Sequence, residues 1–277
     1  MRTLDNNVNS RLAVRQRTRG IGRPHPVALE PSTISLSNSY TTDSDLRALG
    51  FGAHAHALST ALMSRLCTTQ RGCFDCFSRV VTDKEAVPYT DQMTSGILLY
   101  SRSTSSASYR VRIALNLKKQ HYDLKVINTE QQHHKSGEYL SLNPQGLVPL
   151  LVHQSSDQEV KLNQSVAIME YLEETFPQQG AALLPKDHVG RARVRSLALH
   201  IACEMQPLNN SGVVNFIRSD MKRDTSTVKG WQLHWAEKGF TGLENQLKSD
   251  STGRFCHGDS PTLADCCLVP QVSRELA

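Results

Sequence analysis

Apolar and polar positions fall into a sustained rhythm only from residue 96 onward. "GILLYSR" (96–102) is a continuous apolar run closed by an arginine, the pattern of a buried strand. "SYRVRIALNLKK" (108–119) sets Val111, Ala114 and Leu115 on one face, widened by Ile113 and Leu117, and predicts a helix. "HYDLKVIN" (121–128) alternates as a strand. Residues 136–142 predict a short helix that stops before Asn143-Pro144, because a residue ahead of proline is pushed out of the α region. "LVPLLVH" (147–153) and "EVKLN" (159–163) predict two strands, and the turn-like "QSSDQ" between them makes a hairpin. "QSVAIMEYLEETF" (164–176) predicts a helix with Ser165, Met169, Leu172 and Phe176 nearly in line. The order βαβαββα describes a small sheet covered by helices and closed by an antiparallel pair.

The rhythm then changes. "PQQGAALLPKD" (177–187) is a linker of Pro, Gly and Gln, and no strand pattern follows it. Leu197, Ile201, Met205 and Leu208 keep helical spacing, as do Trp231 with Trp235 and Phe240 with Leu243 and Leu247. In "SPTLADCCLVPQV" (260–272) Thr262 stands three residues before Asp265, a capping-box spacing with Asp in place of Glu. The chain thus divides into an α/β unit over 96–177 and an all-helical unit over 186–277.

Residues 1–92 carry no comparable periodicity. Their Ser, Thr, Arg, Pro and Gly content is too polar to offset the entropy of ordering, so they are expected to be a disordered extension. Residues 1–23 hold six arginines against one aspartate, which accounts for the chain's formal net charge of +5. The remainder is electrically balanced, unlike a fold that grips nucleic acid over its whole surface. The Arg-rich start reads either as an organelle transit peptide, which would place the protein in mitochondria, or as a mis-called start that leaves it cytoplasmic. No apolar run approaches 18 residues, so no membrane span is expected. Seven cysteines, an odd count, argue against a disulfide framework, and Cys266 and Cys267 read as reduced and core-facing. The single C-x-x-C of Cys73 and Cys76 supplies half of a zinc site, and no metal is expected.

Candidate chemistry gathers at "SSASYRVRIAL" (105–115), where hydroxyls crowd a strand-to-helix turn. The first turn of a helix presents free N–H groups and a partial positive charge, and serine hydroxyls add rotatable donors. Such a turn suits an anion. A phosphate cradle wants glycines and a lysine, which are absent here, so a thiolate fits better. Lowering a thiol pKa from about 8.5 by roughly two units takes about 2.7 kcal/mol. One hydrogen bond to a charged group contributes about 1.5–3 kcal/mol, and a helix N-terminus about 0.3–1 kcal/mol. The competing reading of the same serines is an ordinary helix N-cap.

"SSASYRVRIAL", "LNPQGLVPLL" and "NQSVAIMEYLEE", with "QPLNN" (206–210) and "TLADCCLVPQV" (262–272), resemble in order and spacing the zeta class of glutathione transferases, the maleylacetoacetate isomerases. The resemblance covers about 96–272. It implies a thioredoxin-like domain followed by an all-α domain, glutathione as cofactor, and a homodimer. It implies that Ser105 and Ser106 are catalytic and that Ser106 or Ser105 hydrogen-bonds the glutathione sulfur. Ala107, Ser108, Tyr109 and Arg110 would complete the turn against the cofactor. The Val148-Pro149 bond would be cis, freeing the Val148 backbone for the cysteinyl residue of glutathione. Gln164 and Ser165 would receive the γ-glutamyl carboxylate at a helix start. His134 would be a polar contact, and Asn210 would reach in from the helical domain. The implied reaction is isomerisation of maleylacetoacetate to fumarylacetoacetate in tyrosine and phenylalanine breakdown, with glutathione regenerated. Arg110 and Arg112 are candidates to favour the dianionic substrate, although helix arginines are more often structural or solvated.

Three departures qualify the resemblance. Ala107 replaces a cysteine common in the family, which puts thiol-transfer side reactions in doubt, and Tyr109 stands where tryptophan is common. After "LVPQV" the family continues for several helices, whereas this chain reads "SRELA", with Arg274 out of register with the family's substrate arginine. The expectation is therefore a C-terminally truncated helical domain with weak stability and an exposed apolar patch. The alternative function is a non-catalytic protein that keeps the fold to bind partners, though a scaffold has no need of the Ser105–Ser106, Val148-Pro149 and Gln164-Ser165 set.

Overall fold

A computed structural model describes residues 95–249 and 251–275. The expectations for 1–92, including the C-x-x-C pair, lie outside these residues.

Four strands form one mixed sheet in the order β2-β1-β3-β4. They are β1 (Ile97–Ser101), β2 (Asp123–Val126), β3 (Leu150–Gln154) and β4 (Glu159–Asn163). β1 runs parallel to β2 and antiparallel to β3, and β3 pairs antiparallel with β4. The parallel pair needs a crossover, and α1 (Ser106–Leu117) supplies it. α2 (Gly137–Leu142) leads toward β3, and α3 (Ser165–Thr175) follows the hairpin. This is the predicted βαβαββα order. Leu99, Leu151, Val111, Leu115, Ile168 and Leu172 are buried in one cluster between the sheet and its helices.

The boundaries moved for local reasons. α1 starts two residues earlier than its apolar periodicity suggests, because Ser105 caps it through the Ser108 N–H. β3 starts at Leu150 rather than 147, since Pro149 follows a cis bond and has no N–H to give to a ladder. Only the middle of the 121–128 stretch pairs with β1.

Beyond the linker, α4 (His188–Leu199) widens into a π-helical turn (His200–Met205) and tightens into a 3₁₀ turn (Gln206–Asn209). α5 (Ser211–Asn215), a second π turn (Phe216–Asp220), α6 (Thr225–Leu247) and α7 (Leu263–Glu275) complete the helical region. α7 packs on both α1 and α4. The hydrophobic cluster that begins at the sheet continues through Leu197 and Ile201 to Leu263, Cys267 and Leu268. Cys266 and Cys267 are buried in this core, as their place in the sequence predicts. α7 itself is covered, its residues from Leu263 to Val272 being buried except Val269. The large apolar side chains most exposed among the described residues lie elsewhere, on Val189, Phe216, Leu147 and Val126.

Two polar fastenings hold the regions in register. Lys118, fully buried at the end of α1, donates to Glu173 of α3 at 2.9 Å, and the same carboxylate accepts from the Leu183 N–H at 2.9 Å. At α7, Asp265 accepts from the Thr262 N–H and hydroxyl, both at 2.8 Å, and from the Cys256 N–H at 2.9 Å. That is the predicted capping box, extended by one donor from the preceding loop.

Candidate functional site

Ladder register brings the polar motifs to one end of the sheet. Tyr100 faces Leu150, and Leu150 faces Asn163. The C-terminal end of β1, the N-terminal end of β3 and the C-terminal end of β4 therefore share an edge. Ser105–Ser106, Val148-Pro149 and Gln164-Ser165 each leave the sheet at that edge. The Ile127 N–H donates to the Ser101 carbonyl at 2.7 Å and draws the segment after β2 to the same place.

The turn from β1 into α1 is closed by the Ser105 N–H on the Arg102 carbonyl at 3.1 Å. Ser105 is the N-cap, with φ −83° and ψ 112°, and its Oγ accepts from the Ser108 N–H at 3.2 Å. This is the ordinary capping role, yet a hydroxyl that accepts there keeps its own proton to donate outward. Ser106 is 8% exposed, and its hydroxyl has no protein partner among the described residues. No acidic side chain occupies the first turn. The N–H groups of Ser106 and Ala107 precede any intrahelical acceptor. The cap and the anion receptor are thus the same turn.

The following residues divide. Ala107 is partly exposed beside the serines. Ser108 is fully buried and turned inward, so its side chain is not brought to the groove. Tyr109 packs against the core, with the Arg112 guanidinium 5.3 Å from its ring centroid, and burial pushes its phenol pKa up. Arg110 is 2% exposed and donates to the Ser165 Oγ at 3.3 Å. Arg110 and Arg112 are both buried, in keeping with the structural alternative for helix arginines.

α3 starts without a side-chain cap and without an acid in its first turn. Its N-cap residue, Gln164, takes φ 67° and ψ 110°, a left-handed conformation that costs a non-glycine residue about 1–3 kcal/mol. The Gln164 Nε2 donates to the Gln145 Oε1 at 3.0 Å. A strained residue at an uncapped helix start leaves its N–H groups aimed outward from the sheet edge.

Between these two helix starts lies Val148, partly exposed and joined to Pro149 by a cis peptide. Its backbone takes part in none of the loop, turn or cap hydrogen bonds. Its position is fixed from behind. The Leu147 carbonyl accepts from the Tyr139 hydroxyl at 2.6 Å and from the Asn143 Nδ2 at 2.7 Å. The Asn143 Oδ1 in turn accepts from the Asn163 Nδ2 at 3.1 Å and the Gln145 N–H at 3.3 Å. Asn143, 1% exposed, is the organising residue that sequence reasoning missed. It was read only as the stop before Pro144, and nothing in one sequence marks its side chain as the tie between loop and β4.

His134 sits in a 3₁₀ turn folded over the same loop. Gly146, at φ 60°, passes so close that a Cβ there would lie 2.8 Å from the His134 carbonyl. Partial burial pushes the His134 pKa down, and the nearby Lys135 and Arg102 charges push the same way. Asn210 lies in the helical region as the N-cap of α5, its Oδ1 accepting from the Val213 N–H at 2.9 Å. That contact gives Asn210 a structural duty.

The edge therefore offers two helix N-termini free of acidic side chains, with a backbone segment between them that is unengaged among the described residues. That suits a short peptide bearing an anionic group at each of two places, such as a thiolate and a carboxylate.

Comparison with known proteins gives the following. The family described as "Glutathione S-transferase, N-terminal domain" matches residues 104–175. A probable maleylacetoacetate isomerase of Vibrio cholerae is 40% identical over 180 residues, covering 64% of this chain and 80% of the relative. A maleylpyruvate isomerase of a Ralstonia species is 42% identical over 175 residues, covering 63% and 80%. Among solved structures, a maleylacetoacetate isomerase from Anaeromyxobacter dehalogenans with glutathione bound in its active site matches with a TM-score of 0.58. It is 38% identical and covers 67% of this chain and 83% of that one.

Proposed function

The chain belongs to the zeta-class glutathione transferases, the family of the maleylacetoacetate isomerases, and on that premise we propose that it isomerises maleylacetoacetate to fumarylacetoacetate with glutathione as cofactor. The observation that carries the reading is the acid-free start of α1, where the Ser105 hydroxyl caps the helix yet keeps its own proton to donate and the Ser106 hydroxyl has no partner among the described residues.

The residues present fit glutathione. The Ser105 and Ser106 hydroxyls and the first N–H groups of α1 stabilise a sulfur anion. The Val148 N–H and C=O pair with a peptide backbone. The N-terminal N–H groups of α3, behind Gln164 and Ser165, receive a carboxylate. When bound, glutathione supplies a thiolate that adds reversibly to the cis double bond and so permits rotation about it. The protein's share is to keep that sulfur ionised at neutral pH and to hold the tripeptide still. Two hydroxyls and a helix terminus supply roughly the 2.7 kcal/mol that a shift of about two pKa units requires.

The domain reading follows, with residues 96–177 as the glutathione-binding domain and 186–277 as the helical domain that Asn210 serves. A homodimer in the cytoplasm is part of the same proposal. No helix among the described residues is long and apolar enough to cross a membrane.

The test is an ultraviolet assay of the full chain on maleylacetoacetate with and without glutathione. Maleylpyruvate is a second substrate, because one relative carries that activity in its name. Turnover that requires glutathione is expected, faster on maleylacetoacetate. An equal rate without glutathione, or none on either acid, contradicts the proposal.

A further inference from the structure

The sequence places two arginines on α1 with one residue between them, Arg110 and Arg112. Residues two apart on a helix point in widely different directions, so the two side chains serve different neighbours. Arg110 is 2% exposed and Arg112 is 4% exposed. Burying a guanidinium is costly unless it is well paired. Among the described residues Arg110 has one hydrogen-bond partner, the Ser165 Oγ at 3.3 Å, while its Nε and Nη2 are buried without any. Arg112 Nη2 donates to the Ser103 carbonyl at 3.2 Å, inside the turn that leads to Ser105. Its guanidinium also lies 5.3 Å from the Tyr109 ring centroid.

Resting on the glutathione reading above, we infer that these are positioning residues with divided duties. Arg110 holds Ser165 and puts positive charge behind the start of α3, where the carboxylate is received. Arg112 fastens the 102–105 turn, and with it the orientation of the Ser105 and Ser106 hydroxyls that stabilise the sulfur. Neither touches the substrate. One helix thus braces both anion receptors from beneath, one arginine to each. An under-paired buried charge such as Arg110 contributes little to stability by itself, and its place behind an uncapped helix start gives it an electrostatic use.

The experiment measures calorimetric binding of glutathione and of S-methylglutathione to the full chain and to its Arg110→Met, Arg112→Met, Arg110→Lys and Arg112→Lys forms, with melting temperatures alongside. S-methylglutathione carries the carboxylates but cannot form a thiolate. Arg110→Met is expected to weaken both ligands about tenfold. Its melting temperature should hold or rise, because an apolar side chain replacing a poorly paired buried charge is neutral or stabilising. Arg112→Met is expected to weaken glutathione about tenfold and leave S-methylglutathione unchanged, since only the charged sulfur is affected. Arg110→Lys, which keeps the charge, should recover most of the binding of both ligands. Arg112→Lys, which keeps one donor, should recover part of the glutathione-specific loss and serves if the methionine form does not fold. Equal loss of both ligands in the Arg112 variants, or a lower melting temperature without any change in binding in the Arg110 variants, overturns the inference. If the unaltered chain binds glutathione but turns over neither acid, the proposed function falls while this assignment stands. If it binds neither ligand, both fall.

Discussion

α1 and α7 start in opposite ways. At α7 the helix start is shut: Asp265 takes the Thr262 N–H and hydroxyl and a third donor from Cys256, all deep in the core. Burial pushes its carboxyl pKa up, and the hydrogen bonds from Cys256 and Thr262 pull it back. At α1 the first turn holds no acid, the Ser105 hydroxyl meets only the Ser108 N–H, and the Ser106 hydroxyl meets nothing among the described residues. α3 has no side-chain cap at all. A helix start closed by its own carboxylate is spent on the fold. One left open at a sheet edge is available to an anion from outside.

The largest effect should come from opening the closed start. Asp265→Ala leaves buried donors unsatisfied and removes a cap, and should lower stability by about 3–5 kcal/mol in urea unfolding. A loss below about 1 kcal/mol would show that α7 does not depend on its box. Closing an open start should do the reverse. Ala107→Asp puts a carboxylate in the first turn of α1, which favours the helix by about 0.3–1 kcal/mol. It should also weaken glutathione binding tenfold or more, because the new charge takes the anion's place. Next in size are the serines themselves. Ser105→Ala should lower stability by about 1 kcal/mol as a lost cap, whereas Ser106→Ala should leave stability unchanged within about 0.5 kcal/mol. Both should slow turnover.

The smallest effect concerns pH and lies at the opposite end of the sheet. His153 Nδ1 is 2.7 Å from the Tyr171 hydroxyl and its ring packs on Phe176, and burial pushes its pKa down. A histidine whose folded pKa lies below its unfolded value binds its proton more readily when unfolded. Its contribution is therefore complete above about pH 6.5 and is lost as the pH falls below that value. The melting temperature should drop between pH 7.5 and 5.5, and by less in His153→Phe.

Much of this was legible before any coordinates. The strand and helix order from 96 to 176 follows from periods of two and 3.6, because one face of each element must be buried. The Thr262–Asp265 box could be read because both partners lie within one turn of helix. The motif residues around Ser105, Val148 and Gln164 were also visible, through resemblance. What sequence could not show were side chains whose partners are distant along the chain. Asn143 joins Asn163, Lys118 joins Glu173, and Arg110 joins Ser165, across separations that no local pattern encodes. The two arginines read as substrate, structural or solvated groups, because charged residues are seldom buried, and only packing shows them buried beneath the site.

The central claim is that the open start of α1 keeps a sulfur anion charged, and the most direct measurement is the thiol pKa of bound glutathione, read from thiolate absorbance during a pH titration. In the unaltered protein it should fall roughly two units below the free value of about 8.5, and in the Ser105→Ala, Ser106→Ala double variant it should return most of the way. A bound thiol with the same pKa in both proteins would contradict the account.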